Sequence, residues 1–451
     1  MQPELALTFT SLFVIIIIYV EHKHSRERSI ATWISAIWLL YSASKQLGTW
    51  LNIHSTIEAG SLPDRYFLLG LGALGFFILL KRHFLWRETL KKNHLLIFII
   101  FYMLISTAWS RVPGISFRRW GREAIALIIA CLLLSEKCPL KSLISVLMKV
   151  IYISLPFSLL LVKYYGTYGC QYNKFSGELM WVGIAGQKNG LALICSFSAI
   201  FLIWSLSKDL SQWTSLPSKI PVLINLFMLV LSIYLMMGPR RTLKYSSTSF
   251  ISLLMGLILI MILRILTDKK IKIQAALIII AITIILIGTF MPFTGKIPIK
   301  GIPELLGRDS TLTGRTQIWN SLVPYAKKKL ILGYGFGGFW TTSLIEQIAV
   351  SAHNGYLDTI LSLGFAGLLI FLIFLITLLL KCYKLIRGPW DIHILFLSMV
   401  FIFLIHNVAE TSLGHLGSFP SSLIVLSSLI INSAESNIED DPENNQEIYT
   451  P

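Results

Sequence analysis

The sequence predicts an all-α membrane protein, a polytopic transmembrane bundle of about 12–13 spans with one large extracytoplasmic loop carrying short helices. Three observations predict it. The chain is 55% hydrophobic over 451 residues, and its mean hydropathy of +0.70 is far above that of a soluble globular domain. Apolar runs of ~17–25 residues recur along nearly its whole length, each long enough to cross a bilayer core as a helix. Lipid tolerates only closed hydrogen-bonding architectures, so such runs read as helices.

Each span follows from its own run. Stretches at 6–20, 30–44, 65–80, 94–109, 123–136, 143–162, 186–206, 220–238, 246–266 and 273–292 precede the loop, and 359–380, 392–410 and 417–432 follow it. The opening MQPELALTFTSLFVIIIIYV lacks a basic n-region and a small-residue cleavage site, so it reads as a retained first helix. Residues 1–292 therefore hold ten transmembrane helices, 293–358 form the large periplasmic or extracellular loop, and 359–432 hold the C-terminal spans. The tail at 433–451 is acidic and polar, and reads as disordered and cytoplasmic.

Four compact basic connections set the orientation. EHKHSRER (21–28), KRHFLWRETLKK (81–92), TDKKIK (267–272) and KCYKLIR (381–387) fall on one side, which the charge rule assigns to the cytoplasm. Segments 110–122, 163–185, 239–245 and 293–358 then lie outside, and they are basic too. They carry Arg111, Arg118, Arg119 and Arg122, then Arg240, Arg241 and Lys244, then Arg308 and Arg315. An anionic ligand at the outer surface would hold arginines there against the rule; a span count wrong by one is the competing explanation. The net charge of +16 does not point to nucleic acid, because no long polar domain carries such a surface. Five cysteines at 131, 138, 170, 195 and 382, without a CxxC pair, suggest neither a metal site nor a disulfide framework.

The outer loop holds the first chemical constellation, GRDSTLTGRTQIW (307–319). Thr313 can cap a helix that places Arg315 in its first turn and runs to about Lys328, with Ile318, Leu322 and Tyr325 on an apolar side. A helix start with an arginine is a competent phosphate site, because free N–H groups and a planar guanidinium fork converge there. The bland alternative is that Arg308 and Arg315 are solvated or pair with Asp309 and Glu304. LGYGFGGFW (332–340) supplies four glycines among aromatics and suits close backbone approach. In AHNGYLD (352–358), Asn354 is a candidate N-cap and His353 can take a proton from a hydroxyl, although a lone histidine is more often a structural one. Lys188 and Asn189 open a span in GIAGQKNGLA, Arg240 and Arg241 end one in GPRRT, and Glu410 in HNVAETSL can pair with one of the arginines.

Together these segments resemble the O-antigen ligase and O-antigen polymerase superfamily of bacterial membrane proteins, including its exopolysaccharide polymerase branch. AWSRVPGISFRRWGREA (108–124) resembles its tryptophan-serine segment before an arginine-bearing helix, and GIAGQKNGLA its Lys-Asn stretch. GPRRT resembles its Ser-Arg-Thr helix end, LTGRTQIW its Thr-Gly-Arg-x-x-x-Trp motif ending at Trp319, and AHNGYLD its His-Asn motif. The ordered set spans about 108–413. Gln187 stands where the family usually has His, which puts in doubt a catalytic role for that position. Pro239 stands where Ser is common, which leaves open whether Arg240 or Arg241 matches the family's arginine.

The resemblance implies a glycosyltransferase of the bacterial cytoplasmic (inner) membrane, working without metal or other cofactor in exopolysaccharide or lipopolysaccharide biosynthesis. It moves a glycan from an undecaprenyl (polyprenyl) diphosphate carrier to a sugar hydroxyl at the outer face. Arg315 and His353 are the expected catalytic pair. Arg240, Arg241, Arg308, Arg315 and Lys188 are expected on the diphosphate, with Asn189, Asn354, Glu410 and Trp319 in support. The acceptor is another lipid-linked glycan in a polymerase and a lipid A core sugar in a ligase; the pattern inclines toward the polymerase, with chain-length or export proteins as possible partners. A lipid-linked oligosaccharide flippase is the competing class, but it would more typically show paired halves with broken helices in matching positions.

Overall fold

The computed structural model describes residues 1–25, 29–53, 60–173, 177–211, 219–240, 245–268, 273–295, 314–388 and 391–440. Arg241, Arg308, Thr313 and the tail beyond 440 lie outside the described residues. A helix stands at each of the thirteen expected positions, so the chain is a multi-pass helical membrane protein.

Among the described residues, eight helices are long and apolar enough to cross a membrane by length and composition, and nine if Trp86–Lys92 and His94–Trp109, joined at a 90° bend, form one broken span. Ile30–Ala43 and Ile392–His406, of 14 and 15 residues, are apolar but short. At about 1.5 Å per residue they reach only ~21–23 Å, less than a bilayer core of ~30 Å. Two other boundaries also move. Pro113 opens a helix that runs to Leu134, so most of the arginine-rich segment expected as an outer loop is helical. The last helix, Phe419–Asp440, continues past the end expected at 432.

The chain divides into two compact units. The first comprises Met1–Gln46, Glu136–Lys269 and Arg387–Met399. Pro139–Tyr164 packs against Pro3–Ser25, Ile30–Ala43 and Ile220–Met237, while Lys188–Ser211 packs against Ile220–Met237 and Ser247–Asp268. Proline at the first helical position suits its fixed φ and missing N–H, and Pro139 uses it. A charge buried among these helices is neutralised: Lys149 Nζ lies 3.6 Å from Glu21 Oε2, and Ser145 donates to Glu21 Oε1 at 2.7 Å. A small antiparallel pair, Cys170–Tyr172 with Leu179–Trp181, completes this unit.

The second unit comprises Leu47–Ser135, Lys270–Ile386 and Val400–Pro451. Its long helix Gly355–Leu385 packs against His94–Ser106, Gln274–Thr294, Arg315–Lys328 and Phe419–Asp440. This helix breaks at Gly364, where φ is 73° and ψ −176°. There the backbone of 330–331 enters the ladder, with Phe365 N–H donating to Leu330 O at 2.7 Å and Ala366 N–H to Ile331 O at 3.2 Å. A Cβ at Gly364 would stand 2.0 Å from Ile331 O, so only glycine fits. The break thus docks the glycine-aromatic segment 332–340 onto the head of the long helix.

Candidate active site

The described part of the large loop carries the short helices expected of it, Arg315–Lys328 and Thr342–Gln347. The first begins after Gly314, whose φ of 85° turns the chain into it; Thr313, expected as its cap, lies outside the described residues. Its buried face is Arg315, Trp319, Leu322 and Ala326; of the Ile318, Leu322 and Tyr325 face read from the sequence, Leu322 is buried and the other two are half-buried. This register turns Arg315 inward. Trp319 then donates from Nε1 to Ala352 O at 2.9 Å, stapling this helix to the residue before His353.

Asn354 caps Gly355–Leu385 as expected, its Oδ1 accepting from Leu357 N–H at 2.8 Å. Its amide also donates to Gly288 O at 2.9 Å and Val408 O at 3.0 Å, so one side chain joins three segments. Next to it, His353 sits at φ 46°, a left-handed conformation that costs a non-glycine residue energy and often marks a functional site. Asn407 shapes the loop that faces them. Its Oδ1 accepts from Ser412 and Leu413 N–H at 2.9 and 2.7 Å, and a Cβ on Gly355 would meet that oxygen at 2.1 Å.

These anchors bring Glu410, in the loop after Ile392–His406, between two sequence-predicted residues. Its Oε1 accepts from Arg315 Nη2 at 2.5 Å, and its Oε2 lies 3.4 Å from His353 Nδ1. Arg315 and Glu410 are buried, at 7% and 6% side-chain exposure, whereas His353 keeps 23%. Burial by itself would raise the Glu410 carboxyl, but the His353 hydrogen bond and the Arg315 charge outweigh it and hold it down to about 2. The result is a carboxylate clamped between a guanidinium and an imidazole, with the imidazole on the open side. His406 is buried one turn before Glu410, and neither ring nitrogen has a hydrogen-bond partner among the described residues.

A second cluster, absent from the sequence reading, lies in the same unit. Asp358 accepts from Trp340 Nε1 at 2.7 Å and faces His415 Nε2 at 3.5 Å. Glu123 accepts from Gly417 N–H at 2.5 Å. Burial would lower the His415 imidazole, yet its hydrogen bond to Asp358 and the charges of Asp358 and Glu123 raise it overall. The signal for this cluster was faint: two carboxylates and a histidine, scattered in three apolar segments.

Three arginines that seemed to call for an external anion are bound by the protein. Arg119 donates to Gly337 O and Trp340 O, Arg122 to Gly417 O at 3.0 Å, and Arg111 lies 4.7 Å from the centre of the Tyr334 ring. Backbone carbonyls and an aromatic face are therefore among their partners. In the first unit, Lys188 lies 4.9 Å from the Tyr245 ring centre at the start of its helix, beside Asn189. Arg240 forms an exposed ion pair with Glu178, a contact of small energetic weight. The described cluster thus contains Arg315, Trp319, His353, Asn354 and Glu410, while Lys188, Asn189 and Arg240 belong to the first unit. Among the described residues, no group of three His, Cys, Asp or Glu side chains is placed to hold a metal ion.

Residues 227–372, which include Arg315, His353 and Asn354, match the family described as O-antigen ligase. The match covers about a third of the chain, which is therefore similar to that family over this segment. The chain is also similar to the exopolysaccharide production protein ExoQ of Rhizobium meliloti (strain 1021), at 24% identity over 296 residues. That match covers 61% of this chain, and the chain spans 62% of the length of this curated relative.

Proposed function

We propose that the protein is a metal-independent membrane glycosyltransferase acting at the outer face of the bacterial cytoplasmic membrane. It transfers a glycan from a polyprenyl (undecaprenyl) diphosphate to a sugar hydroxyl and so extends an exopolysaccharide or O-antigen. The observation that carries this reading is the Arg315–Glu410–His353 arrangement at the head of the long helix. With the Nδ1 proton directed at Glu410, Nε2 of His353 is the basic nitrogen. It takes the acceptor hydroxyl proton as that oxygen bonds to the anomeric carbon of the donor. The bond from that carbon to the diphosphate oxygen breaks, and the diphosphate leaves with the electron pair. Arg315 offers fixed guanidinium donors to the developing charge, and Glu410 stabilises the imidazolium that forms. Arg240, Arg241, Arg308 and Lys188 are proposed further diphosphate contacts, and the large loop is proposed to be periplasmic or extracellular.

Polymerase is preferred to ligase because the similar rhizobial protein is named for exopolysaccharide production. Ligation to a lipid A core is the second reading, favoured by the family description. The test is to compare cells carrying His353→Ala, Arg315→Ala or wild-type protein for long-chain glycan, with protein levels matched. Loss of the long chains in both variants supports the assignment. Normal polymer from both would sink it. Glycan accumulating on lipid A core rather than as free polymer would select the ligase.

A further inference from the structure

The basic connection KRHFLWRETLKK takes no part in the site above, yet it closes around a cavity of about 410 Å³ in the second unit. Arg82, His83, Glu88 and Lys92 line it together with Phe84 and Leu85. Its walls are held by specific contacts. Arg82 Nη1 donates to Ser135 Oγ at 2.9 Å, and His83 sits at φ 49°. Below it, the Asn93 amide donates to Thr89 O at 2.9 Å, and its oxygen accepts from Asn432 at 2.7 Å. The floor is therefore satisfied within the protein, and the cavity's charge is set by two permanent cations and a histidine against one carboxylate.

Apolar side chains are exposed on its lining and on the helix that leads into it in sequence. Leu85 is 64% exposed, and Phe77 and Leu80 on the preceding helix Leu62–Lys81 are 53% and 54% exposed. The short helix Trp86–Lys92 turns 90° from His94–Trp109, as a segment lying along a membrane surface does. A cationic cavity that opens onto exposed leucine and phenylalanine matches a molecule with a phosphate at one end and hydrocarbon at the other. We infer that this cavity binds the headgroup phosphate of an anionic glycerolipid. Arg82 and Lys92 hold the phosphate, and the acyl chains run along Leu85, Leu80 and Phe77. Inorganic phosphate shares the headgroup chemistry but makes no use of that apolar surface.

The test uses the whole protein in nanodiscs of phosphatidylcholine mixed with phosphatidylglycerol, with retained lipid counted by native mass spectrometry. Enrichment of phosphatidylglycerol should fall about fivefold in Lys92→Gln and again in Arg82→Gln, and should rise in Glu88→Gln. Added inorganic phosphate should leave the retained lipid unchanged. Equal enrichment in wild type and variants overturns the inference, and so does displacement of the lipid by inorganic phosphate, which would mark a site for soluble phosphate. If Arg82→Gln fails to fold for want of its bond to Ser135, the opposite shifts expected of Lys92→Gln and Glu88→Gln still decide.

Discussion

Glu410 is the residue on which the candidate site turns, because it holds a buried cation on one oxygen and a partly exposed imidazole on the other. Replacing it by glutamine leaves Arg315 buried and unpaired, a defect that costs roughly 3–5 kcal/mol. Thermal unfolding in detergent should show a loss of that size for Glu410→Gln, and a wild-type melting curve would refute the pairing. Arg315→Lys keeps the charge but removes the fork of parallel donors. Polymer synthesis should drop roughly ten- to hundredfold, the worth of one to two charged hydrogen bonds in the transition state. Two titrating groups of this region, Glu410 and His415, act at opposite ends of the pH scale. Glu410 is depressed from 4.5 to about 2, so its stabilisation is complete above about 4.5 and is lost as pH falls toward 2. His415 is raised from 6.5, so its stabilisation is complete below 6.5 and is lost as pH rises through its raised value. Asp358→Asn should flatten the alkaline loss while leaving the acid one in place, as followed by melting temperature across pH.

At the level of elements, the site depends on how two helix starts are fastened. Trp319 holds the loop helix to Ala352, and Asn354 fastens the long helix to Gly288 O and Val408 O. Trp319→Phe keeps an aromatic ring but loses the bond to Ala352 O and part of a fully buried side chain, so stability should fall by roughly 2–3 kcal/mol. Asn354→Ala loses an N-cap worth ~1 kcal/mol and strands two carbonyls at about 1–3 kcal/mol each, so it should be the more damaging change in the same assay. A larger loss from Trp319→Phe would mean that the staple, rather than the cap, bears the segment. Sequence periodicity found both helices, and the cap position of Asn354 could be read directly from it. The register of the loop helix could not. Hydropathy favours turning Ile318 and Tyr325 inward, and only the bond between Arg315 and Glu410, 95 positions apart, makes it favourable to bury an arginine instead.

For the molecule as a whole, orientation is an expectation that labelling can settle. In a background without Cys138 and Cys170, Glu346→Cys should react with an impermeant thiol reagent from outside, and Glu88→Cys should not. The reverse pattern would invert the topology and move the candidate site to the cytoplasm. By itself, the sequence determined that this is a helical, multi-pass membrane protein, without foretelling the small strand pair at 170–181. It placed thirteen apolar helices and marked Arg315, His353, Asn354 and Glu410 as chemically unusual. Those properties are legible because hydropathy and helical spacing are sums over contiguous residues. Only the tertiary structure decided where each apolar helix begins and ends, and which arginines already have carbonyl or aromatic partners. It alone joined Glu410 to both Arg315 and His353, and Glu123 to a loop 294 positions away. The reason is physical: a buried charge is stable only beside its partner, and folding supplies that partner from a distant part of the chain.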